Sequence, residues 1–304
     1  MDYIELIKAF PCHIKEASSL SENIQLPDFN NILFCGMGGS GIIGNIAKDI
    51  LGTNVPIVIC KNYTIPNHID ENTLVFCISY SGNTEETVDM FNSCLKRGSK
   101  IITISSGGTL EQLANENNIQ HINVPTGIPP RAATAYLLVP VLKLFEKTLP
   151  FVDLEQLEQT GKTISEKIAN KIPVVYTSPE LTSVGLRWQQ ELNENSKQLC
   201  VLGKFPELNH NQINAFTHTN NNFHIILIKD ADDNKQNKKR FEFFENQLRN
   251  QKTDFTIINI SGTQPEKILK GIISGDFTSY YLSKKLGKDP FNIEIIENLK
   301  KSLV

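Results

Sequence analysis

The stretch "FCGMGGSG" at 34–41 ends an apolar run and leads into "IIGNIAKDIL" at 42–51, with glycines at Gly36, Gly38 and Gly41 in the spacing G-x-G-x-x-G. A strand that turns on glycines into a helix presents unpaired backbone N–H groups where the helix dipole also favours negative charge, so the stretch reads as an anion site. A dinucleotide fold needs in addition an acid about twenty residues further on, at the end of the second strand, to hold a ribose. There the chain reads "ICKNY" at 59–63, with Lys61 in place of the acid. That departure counts against NAD and leaves a 2′-phosphate on Lys61, hence NADP, as the alternative. A second turn, "SYSGNTEE" at 79–86, follows the next apolar run and again opens a helix. Together the two turns offer the Ser40, Ser79, Ser81 and Thr84 hydroxyls and the Gly38 and Gly39 amides. Such neutral donors suit one compact dianion, a phosphomonoester, and parallel sheets gather ligands at the carboxyl ends of their strands. The competing interpretation makes the same hydroxyls ordinary helix caps, with Glu85 and Glu86 complementing the dipole.

Outward from these turns, "NILFCG", "VPIVIC", "LVFCIS", "KIITISS" and "IQHINVP" are short, β-branched and turn-bounded, as buried parallel strands are. Helical stretches separate them: "GIIGNIAKDIL", "TEETVDMFNSCLKRG" and "TLEQLANENN". This alternation predicts a doubly wound α/β domain. "GIPPRAATAYLLVPVLKLFEKTL" at 127–149 closes it with a helix entered through prolines. The second half repeats the theme with strands "PVVYTS", "NFHIILIKD" and "DFTIINIS" and helices "LTSVGLRWQQELNENSK" and "KKRFEFFENQLRNQ". A long helix, a Gly-Lys-Asp-Pro break and a short terminal helix follow. Two α/β domains with parallel sheets are therefore expected, 1–150 and 151–304, the second a diverged copy. Its first strand runs into no glycine-serine turn, so one phosphate site per chain is expected.

The 304 residues suffice for two buried cores, and the net charge of −3 is spread without a basic block, so no nucleic-acid or anionic-membrane surface is expected. Six scattered cysteines without a C-x-x-C pair read as reduced core thiols. "MDYIELIKAF" shows neither a secretion signal nor a spanning helix, and a cytoplasmic location is expected. The histidines, His218 and His224 among them, show no metal-ligand spacing, so no metal and no cofactor are expected.

"GMGGSG" with "SYSGNTEET" resembles the sugar isomerase (SIS) domain, the phosphosugar-binding module of isomerases, glucosamine-6-phosphate synthases and related regulators. "GIPPRAA", "RWQQELNENSK", "FPELNHNQINAF" and "IENLKKSL" narrow the resemblance to the bifunctional phosphoglucose/phosphomannose isomerase family. It implies two flavodoxin-like three-layer SIS domains and metal-independent exchange of glucose 6-phosphate, and mannose 6-phosphate, with fructose 6-phosphate through a cis-enediolate. That reaction requires ring opening, a proton moved between C1 and C2, and stabilisation of the enediolate. Glu194, sixteen residues before His210, is similar to the family's base, and neighbouring Glu191 does not fit that spacing. His210 resembles the ring-opening acid/base that reaches in from a partner subunit, which implies a homodimer with a shared active site. Arg131, after two prolines, is the implied cation facing the enediolate oxygens. Lys300, or adjacent Lys301, resembles the terminal-helix lysine that assists ring opening. A phosphosugar-sensing regulator would retain the serine turns and have no use for Glu194 and His210.

Overall fold

The computed structural model describes residues 2–218 and 222–303, so 219–221 of the asparagine-rich loop at 209–222 lie outside it. The chain opens with α1 (Tyr3–Lys8) and α2 (Phe10–Ala17). β1 (Asn31–Cys35), α3 (Gly38–Leu51), β2 (Ile57–Cys60), β3 (Thr73–Ile78), α4 (Glu85–Lys96), β4 (Lys100–Ser105), α5 (Gly108–Glu116), β5 (Gln120–Asn123) and α6 (Thr134–Leu144) follow. Then come α7 (Leu154–Ile168), β6 (Ile172–Thr177), α8 (Thr182–Asn195), β7 (Val201–Lys204) and β8 (Phe223–Asp230). α9 (Lys235–Asn250), β9 (Phe255–Ile260), α10 (Gln264–Lys285) and α11 (Glu294–Ser302) complete the chain. It divides into two compact units, Ala9–Phe151 and Met1–Lys8 with Val152–Val304. The first helix thus groups with the C-terminal residues, where the sequence placed it in 1–150. Tyr3 packs edge-on against Phe291 with centroids 5.3 Å apart, and the Tyr280 hydroxyl donates to Asp2 at 2.9 Å.

In the N-terminal unit five parallel strands stand in the order β2-β1-β3-β4-β5, the flavodoxin-like doubly wound arrangement. All six residues of β3 are buried, which is why that stretch reads as an unbroken apolar run. Phe34 and Phe76 of neighbouring strands stack at 5.1 Å. Cys35, Cys60, Cys77, Cys94 and Cys200 are buried free thiols and Cys12 is exposed. Burial pushes the Cys200 thiol up to about 12, so it stays protonated and unreactive.

The C-terminal unit orders its four parallel strands β7-β6-β8-β9, which repeats β2-β1-β3-β4 one for one. The sequence expectation missed β7 and α7. β7 is four residues long with Val201 and Lys204 exposed, so it lacks the apolar signature of its neighbours. α7 is polar apart from a buried face of Leu157, Gly161, Ile164, Ser165 and Ile168. α10 is one uninterrupted 22-residue helix opened by a Thr263/Glu266 capping box.

His224 is a core residue, 4 % exposed, with Nε2 2.9 Å from Thr256 Oγ1, and burial holds its pKa down to about 4. The unfolded imidazole titrates near about 6.5. Between those values the unfolded chain binds the extra proton, so stability is full above the higher value and falls as pH drops toward the lower one. Burial lowers His13 and His121 in the same direction. Thermal melts of the wild type from pH 7.5 to 4.5 are expected to show this decline, and His224→Phe to flatten it. Identical slopes for the two proteins would show that His224 does not contribute.

Candidate active site

β1 and β3 are where the strand order of the N-terminal sheet reverses, and the two serine-glycine turns leave those two strands. α3 starts at Gly38 and α4 follows Thr84, and neither N-cap residue makes a side-chain capping bond. The first N–H groups of each helix have no intrahelical acceptor, so both ends keep donors directed outward. The Thr84 hydroxyl is therefore not spent as the cap of α4.

A hydrogen bond joins the turns, Tyr80 N–H donating to Ser40 Oγ at 3.0 Å. Ser40 thereby accepts and keeps its own proton to donate. Ser79 Oγ lies 2.9 Å from Thr84 Oγ1, so one proton serves that contact and the pair keeps one. Ser81 Oγ accepts from Asn83 N–H at 3.3 Å and is exposed. Gly82 takes φ +70°, and a Cβ there would fall 1.8 Å from the Gly107 carbonyl oxygen, so only glycine closes the second turn. Lys61 Nζ donates to Asn45 Oδ1 at 2.7 Å on the flank of α3.

Arg131 lies in a single 3-10 turn, Pro130–Ala132, and is 2 % exposed. Its backbone presses on the first turn: a Cβ on Gly39 would meet Arg131 N and Cα at 3.0 Å. Gly38, Gly39, Ser40, Ser79, Ser81, Thr84 and Arg131 thus belong to one end of one sheet.

In the C-terminal unit Glu194 is half-buried in the last turn of α8 and borders a cleft of about 640 Å³ with Lys197, Lys288, Asp289, Ile293 and Ile296. Glu191, one turn earlier, is 1 % exposed and committed to structure. It pairs with Arg187 at 2.9 Å and accepts from Asn195 Nδ2 at 2.7 Å, and Arg187 also grips Asp276 at 2.9 and 3.2 Å. His210 is exposed at the end of a 3-10 turn, Glu207–His210. Lys300 and Lys301 are both exposed on α11, whose first turn, with Glu294, Ile295 and Ile296, lines the cleft.

The tip of the C-terminal sheet is closed by an ion pair that the sequence analysis did not single out. Asp230 N–H donates to Ser178 Oγ at 2.9 Å, and Lys267 Nζ joins Asp230 and Asp232 at 2.7 Å each. Protein carboxylates satisfy the cation there, in a unit without a glycine-serine turn. Among the described residues no group of His, Cys, Asp and Glu has the geometry to hold a metal ion, and no helix is long and apolar enough to cross a membrane.

Comparison with known proteins places both units in one class. Residues 25–145 match the SIS domain and 157–303 the bacterial phospho-glucose isomerase C-terminal SIS domain, so the chain is a double SIS-domain protein. It is 35 % identical to the bifunctional phosphoglucose/phosphomannose isomerase of Aquifex aeolicus over 91 % of this chain and 92 % of that protein. It is 31 % identical to the enzyme of the same name from Thermoplasma acidophilum, over 100 % of this chain and 98 % of that one. The chain belongs to the bifunctional phosphoglucose/phosphomannose isomerase family. Among solved structures, the C-terminal domain of glucosamine-fructose-6-phosphate aminotransferase from Francisella tularensis matches with TM-score 0.74 at 15 % identity, over 95 % of this chain and 98 % of that one. Tagatose-6-phosphate ketose/aldose isomerase from Escherichia coli matches with TM-score 0.70 at 15 % identity, over 95 % and 94 %. At that identity the likeness concerns the fold.

Proposed function

We propose that this chain is an aldose-ketose isomerase that interconverts glucose 6-phosphate, and mannose 6-phosphate, with fructose 6-phosphate through a cis-enediolate. The observation that supports the reading is the pair of helix N-termini without side-chain caps, joined by the Tyr80–Ser40 hydrogen bond, whose neutral donors suit a phosphomonoester. The family supplies the chemistry and favours catalysis over the sensing of a phosphosugar. Glu194 moves the proton between C1 and C2. His210, exposed on its own chain, opens the ring as part of a homodimer, assisted by Lys300. The Arg131 guanidinium stabilises the enediolate, and its fixed charge does so without a metal. The enzyme works in the cytoplasm.

A coupled assay with each hexose phosphate supplied separately tests the reaction, and no turnover of any of the three would exclude it. Ser79→Ala removes one donor to a dianion, and a hydrogen bond to a charged group contributes about 1.5–3 kcal/mol. We expect KM to rise about tenfold or more, with kcat within a few-fold of wild type. Ser81→Ala, at the exposed rim, is expected to act in the same direction and less. An unchanged KM in Ser79→Ala would separate the turn from the phosphate.

A further inference from the structure

Tyr80 stands between the two serines of the second turn and is 7 % exposed. Its backbone is shared by two other loops. The N–H donates to Ser40 Oγ at 3.0 Å, and the carbonyl accepts from Ser106 N–H at 2.9 Å and Ser106 Oγ at 2.7 Å. The phenol reaches a third segment, where its O–H donates to the Pro125 carbonyl at 2.9 Å and its oxygen accepts from Ile128 N–H at 2.9 Å. A buried phenol usually finds one partner. This one has two, both backbone groups of the short stretch that leads into Arg131.

That stretch transmits position. Pro129 and Pro130 follow Ile128, and their locked φ angles leave little freedom to absorb a displacement before Arg131. The first turn lies close to the Arg131 backbone as well, since a Cβ added at Gly39 would fall 3.0 Å from Arg131 N and Cα. The backbone of Arg131 is thus located by contact with the first turn and, through the phenol, by a strut from the second. Burial raises the phenol's pKa, with the Ile128 bond opposing it, so the strut keeps its proton at neutral pH.

We propose that Tyr80 is a positioning residue whose hydroxyl sets the Arg131 guanidinium relative to the bound phosphate, so that one side chain couples phosphate capture to stabilisation of the enediolate. The proposal rests on the role given to Arg131 above and adds to it a residue that touches neither phosphate nor sugar. A ring that serves packing alone would need no hydroxyl with two backbone partners.

Tyr80→Phe keeps the ring and every backbone tie and deletes only the strut. A small misplacement of a catalytic group costs one to two orders of magnitude in rate. We expect kcat to fall about tenfold, with KM and the competitive inhibition constant of inorganic phosphate within about twofold of wild type. In an Arg131→Ala background the same substitution is expected to cost nothing further, because its effect passes through Arg131. Arg131→Lys provides a second background that retains a cation, in which the cost is expected to shrink. A Tyr80→Phe enzyme with wild-type kcat would overturn the proposal, as would a full tenfold loss in both Arg131 backgrounds, or an inhibition constant that worsens as much as kcat. An Arg131→Ala enzyme with wild-type kcat is a separate outcome that would overturn the role of Arg131 itself, and the strut with it.

Discussion

Glu194→Gln is expected to lower kcat about a thousandfold for every hexose phosphate while leaving substrate binding within a few-fold of wild type. A positioned general base contributes roughly two to four orders of magnitude, and an amide of the same shape cannot accept the proton. The residues proposed to hold the phosphate are others, so the dissociation constant measured by calorimetry should hold. Hydrogen exchange at C2 of fructose 6-phosphate from deuterated solvent should vanish together with turnover. Retained exchange would take the base role away from Glu194. The half-buried position of Glu194 beside a cleft, against the full burial of Glu191, is the structural ground for choosing between two carboxylates one helical turn apart.

The complementary experiment removes the buried network and leaves the chemistry. Arg187, Glu191 and Asp276 are all nearly inaccessible, and taking one partner out of such a set strands the remaining charge at a cost of about 3–5 kcal/mol. Asp276 shows the tension: burial raises its pKa and Arg187 pulls it back. Asp276→Ala should therefore lower the melting temperature by about 10 °C, at about 2–4 °C per kcal/mol for a unit of this size. Glu191→Gln keeps the shape and loses the charge, so it should destabilise by less and keep kcat within about twofold of wild type. Urea titration and the activity of the folded fraction, measured together, check both. A Glu191→Gln enzyme that is fully stable and inactive would reverse the assignment of the two glutamates.

Much of this was legible in the sequence because the relevant signals are local. The strands of the N-terminal sheet are buried on both faces and read as unbroken apolar runs, and the turns that leave β1 and β3 carry their glycines and hydroxyls in plain spacing. What was missed depends on distance along the chain or on weak local character. Asp276 meets Arg187 from 89 residues away, and Lys267 closes the second sheet tip from another element, so neither partner marks the other in sequence. β7 is short and half exposed, and α1 joins the C-terminal unit through Asp2 and Tyr3, whose partners Tyr280 and Phe291 lie at the far end of the chain. Tyr80 lies inside the second turn without a mark in the sequence, because its bonds to Pro125 and Ile128 exist only after the sheet has assembled.

The central claim is that two turns at the reversal of one sheet hold a single phosphate. A crystal structure of the protein with bound hexose 6-phosphate tests it most directly. The account predicts phosphate oxygens within about 3.2 Å of hydroxyls from both turns, Ser40 on one side and Ser79 or Ser81 on the other, and of the Gly38 or Gly39 N–H. A well-ordered phosphate held at another place, or touching only one of the two turns, would contradict it.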